Sequence, residues 1–176
     1  MAAARAVFLD RDGVLTRAVT RDGKPYAPMR LEDMELTPGA REAVARLRRA
    51  GFLAIAVTNQ PDVARGALER PVAEAMQEKL LGLLALDDIR ACYHDDADGC
   101  ACRKPLPGML VDAAERFNID LAASFMVGDR WKDVSAGKAA GCAAIWIDRG
   151  YDEPKPKDSD FTVSSLDEAV SVILSI

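Results

Sequence analysis

Val7-Phe8-Leu9-Asp10-Arg11-Asp12-Gly13-Val14 is the stretch on which the fold turns. Three apolar residues of strand length end abruptly in two carboxylates, an arginine and a glycine. Residues 52–57, 89–93, 125–127 and 143–147 form similar short apolar runs, and helical patterns lie between them. Thr37 caps the first with Pro38 at its opening position; Ala40, Ala43, Val44 and Leu47 make its apolar face and Gly51 closes it. Pro71 opens the second, with Val72, Met76, Leu80, Leu83 and Leu84 as the buried stripe. A third covers 107–117, a fourth 131–140 with Gly141 as its stop, and Ser165 with Glu168 boxes a last helix over 166–174.

Strands alternating with helices imply parallel pairing and right-handed crossovers. The expected fold is therefore α/β, a doubly wound, Rossmann-like three-layer sandwich around a central parallel sheet. Its length of 176 residues suits a single domain. Residues 13–36, broken by two prolines and Asp22-Gly23, read as a loop or small hairpin beside the site, and 151–160 as a polar connector. No stretch is large enough for a separate cap domain.

Composition removes several function classes. With 23 basic against 28 acidic residues, a net charge of −5 and 6% aromatics, the chain has neither a basic stripe nor a stacking platform for nucleic acid. No apolar run approaches ~18 residues, so no membrane span is expected. The opening apolar segment is cut off by Asp10, too early for a secretory signal, and a cytoplasmic location is expected.

In such sheets ligands sit beyond the carboxyl ends of the strands. If the chain stays extended past Leu9, Asp10 and Asp12 face the same way and Arg11 turns away. Two converging carboxylates call for a hard divalent cation such as Mg²⁺. An Asp-x-Asp-Gly tetrapeptide is equally an ordinary turn. Thr58 and Asn59 end the second run; Asp129 ends the fourth, with Asp133 four residues on. Singly these are caps or loop residues; together, at the strand ends of one sheet, they share a crevice.

Asp10-Arg11-Asp12-Gly13-Val14, Val57-Thr58-Asn59-Gln60, Cys102-Arg103-Lys104-Pro105 and Gly128-Asp129-Arg130-Trp131-Lys132-Asp133 resemble, in order, the four motifs of the haloacid dehalogenase superfamily of phosphatases. The resemblance implies an Mg²⁺-dependent phosphomonoester hydrolase with Asp10 as nucleophile, taking the phosphoryl group as an aspartyl phosphate. It implies Asp12 as general acid and then base, and Thr58 and Lys104 as the grip on the phosphoryl group. Asp10, the backbone carbonyl of Asp12, and Asp129 would bind Mg²⁺, with Asp133 supporting.

Three of the four cysteines, Cys92, Cys100 and Cys102, lie within eleven residues together with His94, the only histidine. Cys92-Tyr93-His94 and Cys100-Ala101-Cys102 each place two ligands on one face of an extended arm. Three thiolates and an imidazole match a closed, structural Zn²⁺ site better than a disulfide or a catalytic zinc, which needs an open position. Such a zinc would fix where Arg103 and Lys104 point. Cys142, outside the cluster, reads as core.

The cluster just before Arg103-Lys104-Pro105 looks like the zinc loop of the capless branch, whose members act on heptose 1,7-bisphosphate or histidinol phosphate. Asn59-Gln60 followed by Ala64-Arg65-Gly66 is similar to the heptose type, and Asn59 joins the substrate-binding set. The five-residue zinc loop and Pro61-Asp62 depart from that pattern. Arg65 and Arg103 are candidates for a second phosphate, since guanidinium groups grip phosphate in a fork. The expected partner is a small phosphorylated substrate, a heptose phosphate first and histidinol phosphate or another sugar phosphate second, with a monomeric enzyme. A zinc-stabilised binding protein that lost the reaction would lack Asp10, Asp12 or Lys104; all three are present.

Overall fold

The computed structural model describes residues 2–176. Six parallel strands form the central sheet: β1 (Arg5–Leu9), β4 (Phe52–Asn59), β5 (Asp88–Cys92), β6 (Phe125–Gly128), β7 (Ala143–Ile147) and β8 (Phe161–Val163). Their order is β5-β4-β1-β6-β7-β8, with β1 pairing in parallel to β4 on one side and β6 on the other. The order reverses at β1. Asp10 follows it directly, so the first motif stands at the switch point, where open α/β sheets leave a crevice.

Both faces of the sheet are buried, which explains the continuous apolar runs. Val7 and Leu9 face a core shared with α1 (Ala40–Arg49), α2 (Arg70–Leu83) and α5 (Leu166–Ser175). Ala6 and Phe8 face the opposite core, built with Met109, Leu110 and Ala113 of α3 (Gly108–Phe117) and including Cys142. α4 (Trp131–Ala140) packs on β6 and β7. It lies so close that a Cβ on Gly137 would sit 2.5 Å from that of Met126.

The insertion between β1 and α1 holds only a hairpin, β2 (Val19–Arg21) and β3 (Lys24–Tyr26), and a short 3-10 turn. Asp22-Gly23 makes its turn, both residues at positive φ. α1 starts two residues later than Pro38 suggested, because Gly39 at φ 79° takes the capping position. At α5 the Ser165 hydroxyl accepts from Glu168 N–H, but the Glu168 carboxylate reaches the N–H of Ser164 rather than of Ser165. β8, three residues at the sheet edge, was not foreseen. Among the described residues no helix is long and apolar enough to cross a membrane.

Candidate active site

Asp10, Asp129 and Asp133 come together at the carboxyl ends of β1 and β6, with ligand-capable oxygens within 4.8 Å of one another. Asp10 N–H donates to Val127 O at 3.0 Å, tying the end of β1 to β6. Gly13, at φ 98°, turns the chain beside them; a Cβ there would fall 1.8 Å from Asp129 Oδ2. Gly128 is required in the same way, since its Cβ would meet that of Asp133 at 2.0 Å.

Lys104 anchors the cluster. Its ammonium donates to Asp10 Oδ1 at 2.7 Å, Asp133 Oδ1 at 2.7 Å and Val57 O at 2.8 Å, using all three protons. Burial works against its charge, but Asp10 and Asp133 outweigh that and raise its pKa. Asn59 holds it from behind: its Nδ2 donates to Lys104 O, and its Oδ1 accepts from Lys104 N–H. Asn59 therefore positions Lys104 with the amide expected to meet substrate. Asp133 also accepts from Arg130 N–H at 3.0 Å, so both its oxygens are engaged, which suits the supporting place expected of it.

One lysine does not balance three buried carboxylates. Burial, then Asp133, push Asp10 up to about 6 despite Lys104. Asp129 is pushed well above the usual carboxylate range by burial and by Asp10 and Asp133. Neither oxygen of Asp129 meets a well-aligned hydrogen-bond donor among the described residues, the Tyr151 hydroxyl standing beside it, although the residue is 2% exposed. A buried carboxylate this short of donors, beside a second one, is the donor set of a hard divalent cation. The residues fit magnesium.

Arg11 does not turn away. The strand ends at Leu9, the chain turns, and the Arg11 side chain folds back with no exposed surface. Its Nε lies 3.1 Å from both oxygens of Asp12, and Nη2 2.9 Å from Oδ2. Asp12 also accepts from Thr16 Oγ1 at 3.1 Å and Gln60 Nε2 at 3.0 Å. Gln60 was missed as a site residue. The available signal was the two-residue period of β4, which puts Gln60 on the same side as Thr58.

A cleft of about 350 Å³ opens over Asp10, Asp12, Thr58 and Lys104, with Arg65 and Arg103 among its lining. Arg65 is half-exposed and gripped by Asp95 at 2.7 and 2.8 Å. Arg103 is 8% exposed, donates from Nε to Asp96 at 2.6 Å, and has a buried Nη1 without a partner.

The other cluster assembles as expected. Ligand-capable atoms of Cys92, His94, Cys100 and Cys102 all lie within 4.8 Å of one another. Cys92 Sγ is 3.7 Å from Cys100 Sγ and 3.0 Å from Cys102 Sγ, and His94 Nδ1 is 3.3 Å from Cys102 Sγ. Tetrahedral zinc at ~2.3 Å from sulfur sets thiolates ~3.8 Å apart, so these residues fit that ion with small adjustments. The short loop folds through the 3-10 turn at Asp96–Asp98, capped reciprocally by Asp95 and Asp98.

Comparison with known proteins identifies the family. Residues 17–141 match the model of the haloacid dehalogenase-like hydrolases. The D-glycero-beta-D-manno-heptose-1,7-bisphosphate 7-phosphatase of Bordetella bronchiseptica is 39% identical over 151 residues, covering 83% of this chain and 82% of the relative. The D-glycero-D-manno-heptose-1,7-bisphosphate 7-phosphatase of Thermosynechococcus vestitus is 38% identical, covering 83% of this chain and 80% of the relative. The crystal structure of D,D-heptose 1,7-bisphosphate phosphatase from B. bronchiseptica, complexed with magnesium and phosphate, superposes with a TM-score of 0.84. It is 32% identical, covering 97% of this chain and 98% of that one.

Proposed function

This chain belongs to the haloacid dehalogenase-like hydrolases and is a phosphatase, and from that premise we propose that it removes the C7 phosphate of D-glycero-D-manno-heptose 1,7-bisphosphate. The observation that carries the mechanism is the buried Asp10–Lys104–Asp133 network with the under-bonded carboxylate of Asp129 beside it, under a cleft of sugar-phosphate size.

Asp10 attacks phosphorus, forming an aspartyl phosphate as the bond to the leaving oxygen breaks. Asp12 gives its proton to that oxygen, and the resulting carboxylate takes a proton from the water that attacks the phosphorus next. The Thr58 hydroxyl donates to the transferring phosphoryl group, and Lys104 offsets charge on Asp10 and phosphate together. Asp10, Asp129 and the Asp12 carbonyl would hold Mg²⁺, with Asp133 orienting Lys104 and the start of α4. The ion, when bound, supplies charge neutralisation at the phosphoryl oxygens. Arg103 and Arg65 serve the non-reacting part of the substrate.

Cys92, His94, Cys100 and Cys102 would hold a structural Zn²⁺, leaving no coordination position for chemistry. All chemistry sits in one domain, opened to substrate without a cap. A phosphate-release screen with heptose 1,7-bisphosphate, histidinol phosphate and simple sugar phosphates tests the proposal. The heptose bisphosphate should give the largest kcat/KM; a larger value for histidinol phosphate would replace the substrate and keep the reaction.

A further inference from the structure

The side-chain amide of Gln60 joins two groups with different tasks. Nε2 donates to Asp12 Oδ2 at 3.0 Å and to Thr58 Oγ1 at 2.9 Å, which accounts for both its protons. Gln60 is itself 1% exposed, and its backbone N–H donates to Cys92 O at 2.7 Å. The amide is therefore held in place from the zinc-loop side of the sheet.

Two consequences follow from the direction of these hydrogen bonds. Thr58 Oγ1 accepts from Gln60, so its own hydrogen is turned away from the amide and is free for a phosphoryl oxygen. Asp12 is held by Gln60 on one oxygen, by Thr16 on the other and by Arg11 across both, so its carboxyl group has one position relative to Thr58. A group that must protonate a leaving oxygen needs such a position, since misplacement by an ångström weakens proton transfer steeply.

We propose that Gln60 is a positioning residue that sets the general acid Asp12 and the phosphoryl-gripping hydroxyl of Thr58 in register across the cleft. The inference rests on the roles proposed above for Asp12 and Thr58. It differs from a packing role in what it predicts for different leaving groups. An alkoxide needs a proton as it departs, whereas p-nitrophenolate departs without one.

The test compares kcat/KM for an alkyl phosphate, glucose 6-phosphate or heptose bisphosphate, with kcat/KM for p-nitrophenyl phosphate. This ratio reports only the steps through phosphoryl transfer to Asp10, so the later base role of Asp12 does not enter. Wild type, Gln60→Met, Gln60→Glu and Asp12→Asn are measured side by side, with thermal unfolding of each. Gln60→Glu keeps the shape and places an oxygen against the Asp12 carboxylate, so it decides the matter if the methionine variant does not fold.

For both Gln60 variants the loss on the alkyl phosphate should exceed the loss on p-nitrophenyl phosphate by about tenfold or more, a part of the ~10²–10⁴ that general acid catalysis contributes. Equal losses on the two substrates, or none, would overturn the inference if Asp12→Asn still discriminates between them. If Asp12→Asn does not discriminate, Asp12 is not the acid, and the role assigned to Gln60 falls with it.

Discussion

The ammonium of Lys104 lies 2.7 Å from the carboxylate of Asp10, a residue ninety-four positions earlier in the chain, and both are buried. The contact joins the first and third motifs and leaves Lys104 no solvent to fall back on. Replacing the lysine by an apolar residue strands Asp10 and Asp133 as buried carboxylates. Lys104→Met should therefore cost about 3–5 kcal/mol of stability and lower turnover by at least ~10². Denaturant unfolding and phosphate release check the two effects.

Magnesium should stabilise the protein more at pH 7 than at pH 5. Burial and Asp133 raise Asp10 from 3.8 to about 6, so without the ion its folded pKa lies above its unfolded one. The sign is that of a raised group: the contribution to stability is complete below pH 3.8 and is lost as pH rises through about 6. Asp129, raised in the same direction by burial and by Asp10 and Asp133, adds to the effect. Above that range a bound cation compensates ionised carboxylates, whereas at pH 5 it must first displace protons. Thermal unfolding with and without Mg²⁺ at the two pH values measures the difference; an equal shift at both would contradict it.

Metal analysis should find about one zinc per chain. Cys100→Ser should lower both zinc content and melting temperature, with turnover at low temperature affected less than stability. Zinc-free protein with unchanged melting would remove the structural role.

Arg103 should matter more than Arg65 for a substrate with two phosphates. Arg103 is buried with Nη1 unpaired, whereas Arg65 is half-exposed and already bidentate to Asp95. A charge-assisted hydrogen bond of about 1.5–3 kcal/mol corresponds to a rise of roughly 10–100-fold in KM. Arg103→Met should show that rise on the bisphosphate, and Arg65→Met a smaller one. Parallel kinetics on the monophosphate show whether the loss belongs to the second phosphate.

Much of this was legible in the sequence, because strong local signals coincide with strong tertiary ones. α4 begins and ends where the pattern from Trp131 to Gly141 places it, with Gly141 at φ 91° as its stop. The strands that lead into Asp10 and Asp129, and the one that holds Thr58, were visible as buried apolar runs. β8 was not, since Phe161-Thr162-Val163 is short and mostly exposed, and gives no period to read. The expectation for Arg11 failed because strand alternation does not continue through the two residues past the end of β1. The carboxylates that hold Arg65 and Arg103, Asp95 and Asp96, depend on how a five-residue loop closes, which no local pattern encodes.

The most direct measurement is on Asp10 itself. The enzyme is mixed with substrate and Mg²⁺, quenched during turnover, reduced with borohydride and digested for peptide mass spectrometry. An acyl phosphate at position 10 is reduced to homoserine, and that modified peptide should appear with substrate and be absent without it. Steady release of phosphate with the Asp10 peptide unmodified would contradict covalent transfer to this residue.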